Sequence, residues 1–201
     1  MAPNFANPPF NDVRLRQAIP YEKIMPGALF GRITPIWGGP QKIDTVGWPV
    51  PSHYSYKLDK AKALVAAATG GAEITTSLLF DAGSATIAEP MAVLVQESLA
   101  AIGIKVELNK TPGANFRGEL NKKTAPMVIN RFGGWLDYAD YFFFWKYHGK
   151  NSIFNVASYQ NKALDTLIDG ARFTQDPADY ATKIKAMLEM GMNQIPMVPI
   201  C

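Results

Sequence analysis

The stretch from residue 73 to residue 108 constrains this chain more than any other, because it reads as strand, helix and strand in immediate succession. Glu73–Phe80 is rich in β-branched and apolar residues, as a strand requires. Pro90 suits the first turn of a helix whose Met91, Leu94, Val95, Leu99 and Ile102 recur at three- and four-residue spacing, with Gly103 as its C-terminal cap. Ile104, Val106 and Leu108 then alternate with Lys105 and Glu107 as a second strand. Such a unit joins parallel strands through a crossover helix. The expected fold class is therefore α/β, with a mostly parallel central sheet flanked by helices.

The rest of the chain extends this alternation. A helix is expected over residues 11–19 with Asn11 or Asp12 as cap, and a second short one over Tyr21–Phe30 after Pro20. Residues 31–55 hold Pro35, Gly38, Gly39, Pro40, Gly47, Pro49 and Pro51. They read as a long loop that Trp37 and Trp48 pin to the body. Asp59 opens an alanine-rich helix to about Thr69, which Gly70-Gly71 closes. A short helix is expected over Phe116–Lys122, a third strand over Met127–Arg131, and a helix over Ala139–His148 after a Gly133-Gly134 turn. Two further helices follow. Lys162–Arg172 turns Leu164, Leu167, Ile168 and Ala171 inward, and Pro177–Met192, capped by Asp176, turns Ile184, Met187 and Leu188 inward. With 201 residues, one domain over 1–201 is expected, and the strand-like Ile195–Cys201 suggests a piece cut from something longer.

Composition removes several classes of function. Lys and Arg number 20 against 17 Asp and Glu and are scattered, so no nucleic-acid partner is expected. Cys201 is the only cysteine, which excludes an intrachain disulfide and a thiolate cluster. His53 and His148 are far apart in sequence, so neither metal nor cofactor is expected, and each histidine is read as a surface or packing residue. No apolar run reaches the roughly 20 residues of a membrane span, and the N-terminus lacks the pattern of a secretory signal.

The candidate site is Arg131–His148, which sets nine aromatics and two carboxylates around Gly133-Gly134. It leaves the carboxyl end of a predicted strand, where ligands of open α/β sheets collect. Asp137, set among rings, must be solvated, paired or bound; a cationic partner is the sharpest option, and an N-cap for the following helix is the plainer one. A charge-assisted bond to an ammonium nets roughly 1.5–3 kcal/mol, and Trp135 or Tyr138 would add cation–π attraction of about 0.5–2 kcal/mol. Asp140 is read as structural, at a helix N-terminus. Arg131 either serves the ligand or pairs with a carboxylate such as Asp140. Of the consecutive Phe142, Phe143, Phe144 and Trp145, roughly half should be core. Asn155 and Tyr159 are candidates to line the same crevice or to pack a surface loop. An alternative reading, a carboxylate-based hydrolase acting on a small organic substrate, would use Asp137 and Asp140. Residues three apart entering one helix point too similarly to straddle a scissile bond, and no G-x-S-x-G, P-loop, HExxH or GxGxxG is present.

The ordered motifs PPFNDVRLRQAI, YKLDKAKALVAAATG, ITTSLLFDAG, VLVQESLAAIGIKVEL, GWLDYADYFFFW, FNVASYQNKALDTLIDGA and IPMVPI resemble the family 5 extracytoplasmic solute-binding proteins of peptide-type (dipeptide, oligopeptide, nickel) ABC transporters. The similarity covers essentially the whole chain and corresponds to the C-terminal lobe. It implies a type II periplasmic-binding-protein-like lobe whose missing N-terminal lobe belongs to the same protein. The two lobes would close on a small peptide or similar solute and present it to ABC permease subunits, in the periplasm or anchored at the cell surface, without catalysis. The resemblance implies that Asp137 takes the ligand's α-ammonium group and that Arg131 reaches a peptide carboxylate. Three departures stand out. Trp135 lies two residues before Asp137 where three is usual, Asp140-Tyr141 stands where many members have Asp-Pro, and RQAIPYEKIM is about four residues short.

Overall fold

The strand pair predicted from residues 73–108 forms one half of the sheet. The structure, a computed structural model, describes residues 1–21, 57–131, 136, 138–151, 153–194 and 197–198. Strand β2 (Ile74–Asp81) runs parallel to β3 (Ile104–Thr111) in register from Ile74 opposite Ile104 to Asp81 opposite Thr111. On the other side of β2 lies β4 (Met127–Val128), also parallel, and beyond it β1 (Ala2–Pro3), antiparallel, giving the order β1-β4-β2-β3. The sequence pattern predicts the parallel strands. It misses β1, a two-residue strand with a proline, and makes β4 too long, since only Met127 and Val128 pair before the chain turns away.

Helices cover both faces. On one side α3 (Ala85–Ala100) packs Ala88, Met91, Ala92, Val95 and Leu99 onto Leu78, Phe80, Ile104 and Val106, together with α1 (Val13–Tyr21) and α2 (Leu58–Thr69). On the other side α4 (Gly113–Lys122) brings Phe116 onto Leu79 and Val128. A third cluster joins α5 (Ala139–Tyr147), α6 (Lys162–Phe173) and α7 (Pro177–Gln194) through Phe143, Leu164, Ile168, Ile184, Met187 and Leu188, and Ala2 ties it to the sheet.

The caps follow the local chemistry. Asp12 accepts the Arg14 N–H at 2.8 Å and starts α1; Asn161 accepts Ala163 and Leu164 N–H at the start of α6; Asp176 accepts Ala178 N–H at 2.9 Å at the start of α7. Gly70, at φ +67°, ends α2 in the left-handed conformation that a side chain would strain. Two expectations about proline need correction. Helix α1 runs through Pro20 to Tyr21, and Pro90 lies inside α3 rather than at its start. A 3-10 turn over Ala82–Ser84, held by the Asp81 carboxylate on the Gly83 N–H at 2.8 Å, leads into α3, which starts at Ala85, ahead of Pro90. The expected helix over Tyr21–Phe30 beyond its first residue, the loop 31–55 with Trp37 and Trp48, the Gly133-Gly134 turn and most of Ile195–Cys201 lie outside the described residues.

Among the described residues β3 is an outer strand; the Ile74 N–H donates to the Gly103 carbonyl, a phase that turns the Val106 carbonyl away from β2. The Gln96 side chain of α3 donates to that carbonyl at 2.6 Å, and Lys105, Glu107 and Lys110 stud the same strand.

Candidate functional site

The carboxyl ends of β2, β3 and β4 share one side of the sheet, and the predicted binding segment leaves from the last of them. The Ile129 N–H donates to the Leu79 carbonyl at 2.9 Å, holding the chain to the sheet one residue past β4. Arg131 then stands exposed, as do Leu136 (51 %) and Tyr138 (59 %). Trp135 and Asp137, with residues 132–134, lie outside the described residues. Of the five sequence candidates, Arg131 and Tyr138 are thus solvent-facing on either side of this stretch.

Asn155 has a different setting. Its side chain is buried, donates to the Tyr159 carbonyl at 2.6 Å and accepts the Tyr159 N–H at 3.0 Å. Both ends of the amide are engaged by one backbone unit, across a turn in which Ser158 adopts φ +54°. Tyr159 is buried with it and stacks edge-on against Phe5 at 4.7 Å.

Helix α5 follows the segment directly. Its N-cap falls on Tyr138, whose side chain makes no cap bond. In the first turn Asp140 accepts the Tyr180 hydroxyl of α7 at 2.7 Å, the structural role its position suggests; burial and that bond push the Tyr180 phenol up. No Arg131–Asp140 ion pair forms among the described residues. Phe143 faces inward, whereas Phe142, Phe144 and Trp145 are half-buried. Tyr141, Trp145 and Phe154 form an edge-to-face ladder with centroids 6.3 and 5.4 Å apart, and Arg172 sits 3.8 Å over the Phe144 ring. His148 closes the helix as a packing residue: its Nδ1 accepts the Lys150 N–H at 3.1 Å, and its Nε2 lies 3.3 Å from Asp169 Oδ1 but out of line for a hydrogen bond.

Two buried cations escape sequence reasoning. Lys146, on the inner side of α5, has its ammonium brought down to about 8 by burial. Arg16, at 3 % exposure, is lowered to about 10 by the same cause. Neither carries a sequence signal, since each sits in an ordinary helical pattern and only packing shows its burial.

Beside the carboxyl ends, an open groove of about 530 Å³ runs between β3 and α4, lined by Asn109, Thr111, Asn115, Glu119 and Lys122. It contains none of the candidate residues. The Asp81 carboxylate stands between the Ala82–Ser84 turn and the start of α4, where a side chain on Gly113 would come within 3.3 Å of its Oδ1. Among the described residues, no cluster of three or more His, Cys, Asp or Glu side chains suits a metal ion, and no helix is long and apolar enough to cross a membrane.

This mixed sheet with helices on both faces has the type II periplasmic-binding-protein-like fold. Residues 1–154 match the family described as bacterial extracellular solute-binding proteins, family 5 Middle, and the chain belongs to it. It is 24 % identical over 212 residues to the glutathione-binding protein GsiB of Shigella flexneri, an alignment covering 98 % of this chain and 41 % of that protein. DppA from Helicobacter pylori, solved with the peptide STSA, superposes with a TM-score of 0.88 at 20 % identity, covering 99 % of this chain and 40 % of its own. AgaA from A. tumefaciens R10, solved with agropinic acid, gives 0.86 at 24 % identity, covering 98 % and 42 %. The chain therefore spans about two fifths of the length of these relatives. Proteins of this family bind solutes and are not enzymes. The hydrolase alternative falls with that, and Asp140, one of its two carboxylates, holds Tyr180 instead.

Proposed function

We propose that this chain is the C-terminal lobe of a two-lobed receptor that takes a peptide or a related small solute between its lobes and delivers it, outside the cytoplasm, to the permease subunits of an ABC importer. The observation that supports the reading is the exit of the chain from the carboxyl end of β4, where Arg131 is exposed three residues past Val128, with an exposed Tyr138 beyond the Gly-Trp-Leu-Asp element. In this reading Asp137 accepts the solute's ammonium group, Arg131 faces its carboxylate, and Trp135 and Tyr138 supply ring surface. Asn155 contributes by shaping the 155–159 turn. Glutathione and the peptide STSA, the ligands of two relatives, each offer an ammonium and a carboxylate, which supports the choice of ligand class.

Calorimetry on the full-length protein with glutathione and with tri- and tetrapeptides tests the reading. A charge-assisted bond of the size expected at Asp137 corresponds to an affinity loss of roughly 10- to 100-fold in Asp137→Asn. Unchanged affinity in that variant would remove Asp137 from the site. One lobe offers only half a cleft, so this chain alone should bind far more weakly than the full-length protein; equal affinities would contradict the two-lobed arrangement.

A further inference from the structure

His148 is buried where α5 hands over to the turn 148–151, and its two ring nitrogens are treated differently. Nδ1 accepts the Lys150 N–H at 3.1 Å, so in the neutral ring the proton sits on Nε2. Nε2 has no hydrogen-bond partner among the described residues, although Asp169 Oδ1 stands 3.3 Å away. A buried donor left in this way calls for a reason beyond packing.

Two carboxylates one helical turn apart face the ring from α6. Asp169 lies on the Nε2 side, whereas Asp165 Oδ1 lies 3.9 Å from Nδ1 and already accepts the Gly149 N–H at 2.9 Å. Like charges four residues apart on a helix repel, and a cation between them removes that cost. From the other direction come the Phe144 ring, its centre 5.2 Å from that of His148, and the Arg172 guanidinium, 3.8 Å over Phe144. The turn itself adds Lys150, an exposed residue. Asp165 and Asp169 thus favour a charged ring, while burial, Arg172 and Lys150 oppose it.

Uptake of a proton changes what Nδ1 can do. A ring N–H there no longer accepts from Lys150 and points one donor at another. The acceptor on that side is Asp165, so the doubly protonated ring takes one carboxylate on each nitrogen and satisfies the donor that the neutral ring leaves unpaired. The Lys150 amide then loses its acceptor, while the Asn151 N–H keeps the His148 carbonyl at 2.9 Å.

We propose that His148 is an acid-responsive latch between α5 and α6: on protonation it drops the Lys150 amide, takes Asp165 and Asp169 as partners, and so re-sets the 148–151 turn.

NMR of the full-length protein, with nitrogen labels confined to histidine and lysine, tests this from about pH 8 to about pH 5, the range in which histidine changes charge. Signals lost in His148→Gln and in Lys150→Arg identify the ring and the amide. At the upper end the ring should carry its proton on Nε2. In acid the second ring proton should appear and the Lys150 amide should shift along the same curve, its exchange protection falling about two- to tenfold after correction for the intrinsic pH dependence of exchange. In Asp169→Asn, a change at a half-exposed side chain, several-fold more acid should be needed to move both signals. In His148→Gln, whose amide can still accept from Lys150 but takes up no proton, the Lys150 signal should lose its response. A ring protonated on Nδ1 at the upper end, a ring still singly protonated at the lower end in the folded protein, an unmoved Lys150 amide, or curves unchanged in Asp169→Asn each overturns the latch. If His148→Gln does not fold, the Lys150 amide curves of wild type and Asp169→Asn decide by themselves.

Discussion

Lys146 sits almost wholly inside α5, and its titration has a definite sign. An ordinary lysine releases its proton near 10.5, and burial brings this one to about 8. Between those values the unfolded chain holds a proton that the folded chain has released, so stability should rise with pH from about 8 upward. Below about 8 the charged form is carried at a cost of roughly 3 kcal/mol at most. Lys146→Met should therefore lose the rise. Urea unfolding from about pH 6 to pH 9.5 checks this, before the buried Tyr147 and Tyr159 phenols, pushed up by burial, pull the other way. A wild-type stability that is flat across the range would refute it. At this scale the sequence is only half legible. Asp140 reads correctly because a carboxylate at a helix start has few structural alternatives. The partner of Asn155 could not be read in advance, because it is the backbone of Tyr159 across a turn whose shape no local pattern specifies. Arg16 and Lys146 are invisible for a related reason: burial of a cation is decided by neighbours distant in sequence.

At the scale of elements, periodicity carried far. The parallel pairing of β2 and β3, the inward faces of α3, α6 and α7, and the Gly70 stop all follow from residue spacing. The misreadings concern signals with two meanings. A proline without an N–H fits the first turn of a helix, and also a position one turn further in when a preceding turn has already begun the coil. In α3 that turn is the Ala82–Ser84 segment. Pro90 removes the bond its N–H would give to the Thr86 carbonyl at an exposed site. Pro90→Ala should consequently raise stability by about 1 kcal/mol, the restored bond and better helix propensity outweighing the freer unfolded chain. Thermal and denaturant unfolding measure it, and a destabilised variant would mean that the ring contributes more than the missing bond. Strand β1 was illegible because two residues show no alternation; only its partner β4 makes it a strand.

For the molecule as a whole, the α/β class and parallel sheet were readable from strand–helix alternation, and the family followed from the order of motifs along the chain. What the sequence could not supply is how distant segments meet: Met1 with Val198, or α5 with α7 through Tyr180 and Asp140. Edge strand β3 belongs to this scale too, because its consequence is felt between molecules. With the Val106 carbonyl held by Gln96 and lysines on either side, the rim offers a neighbouring chain a broken row of partners. Gln96→Ala should accordingly self-associate more readily at high concentration with little change in stability, and light scattering beside a melting curve separates the two effects. One amide from the crossover helix thus takes up an acceptor that an added strand would need.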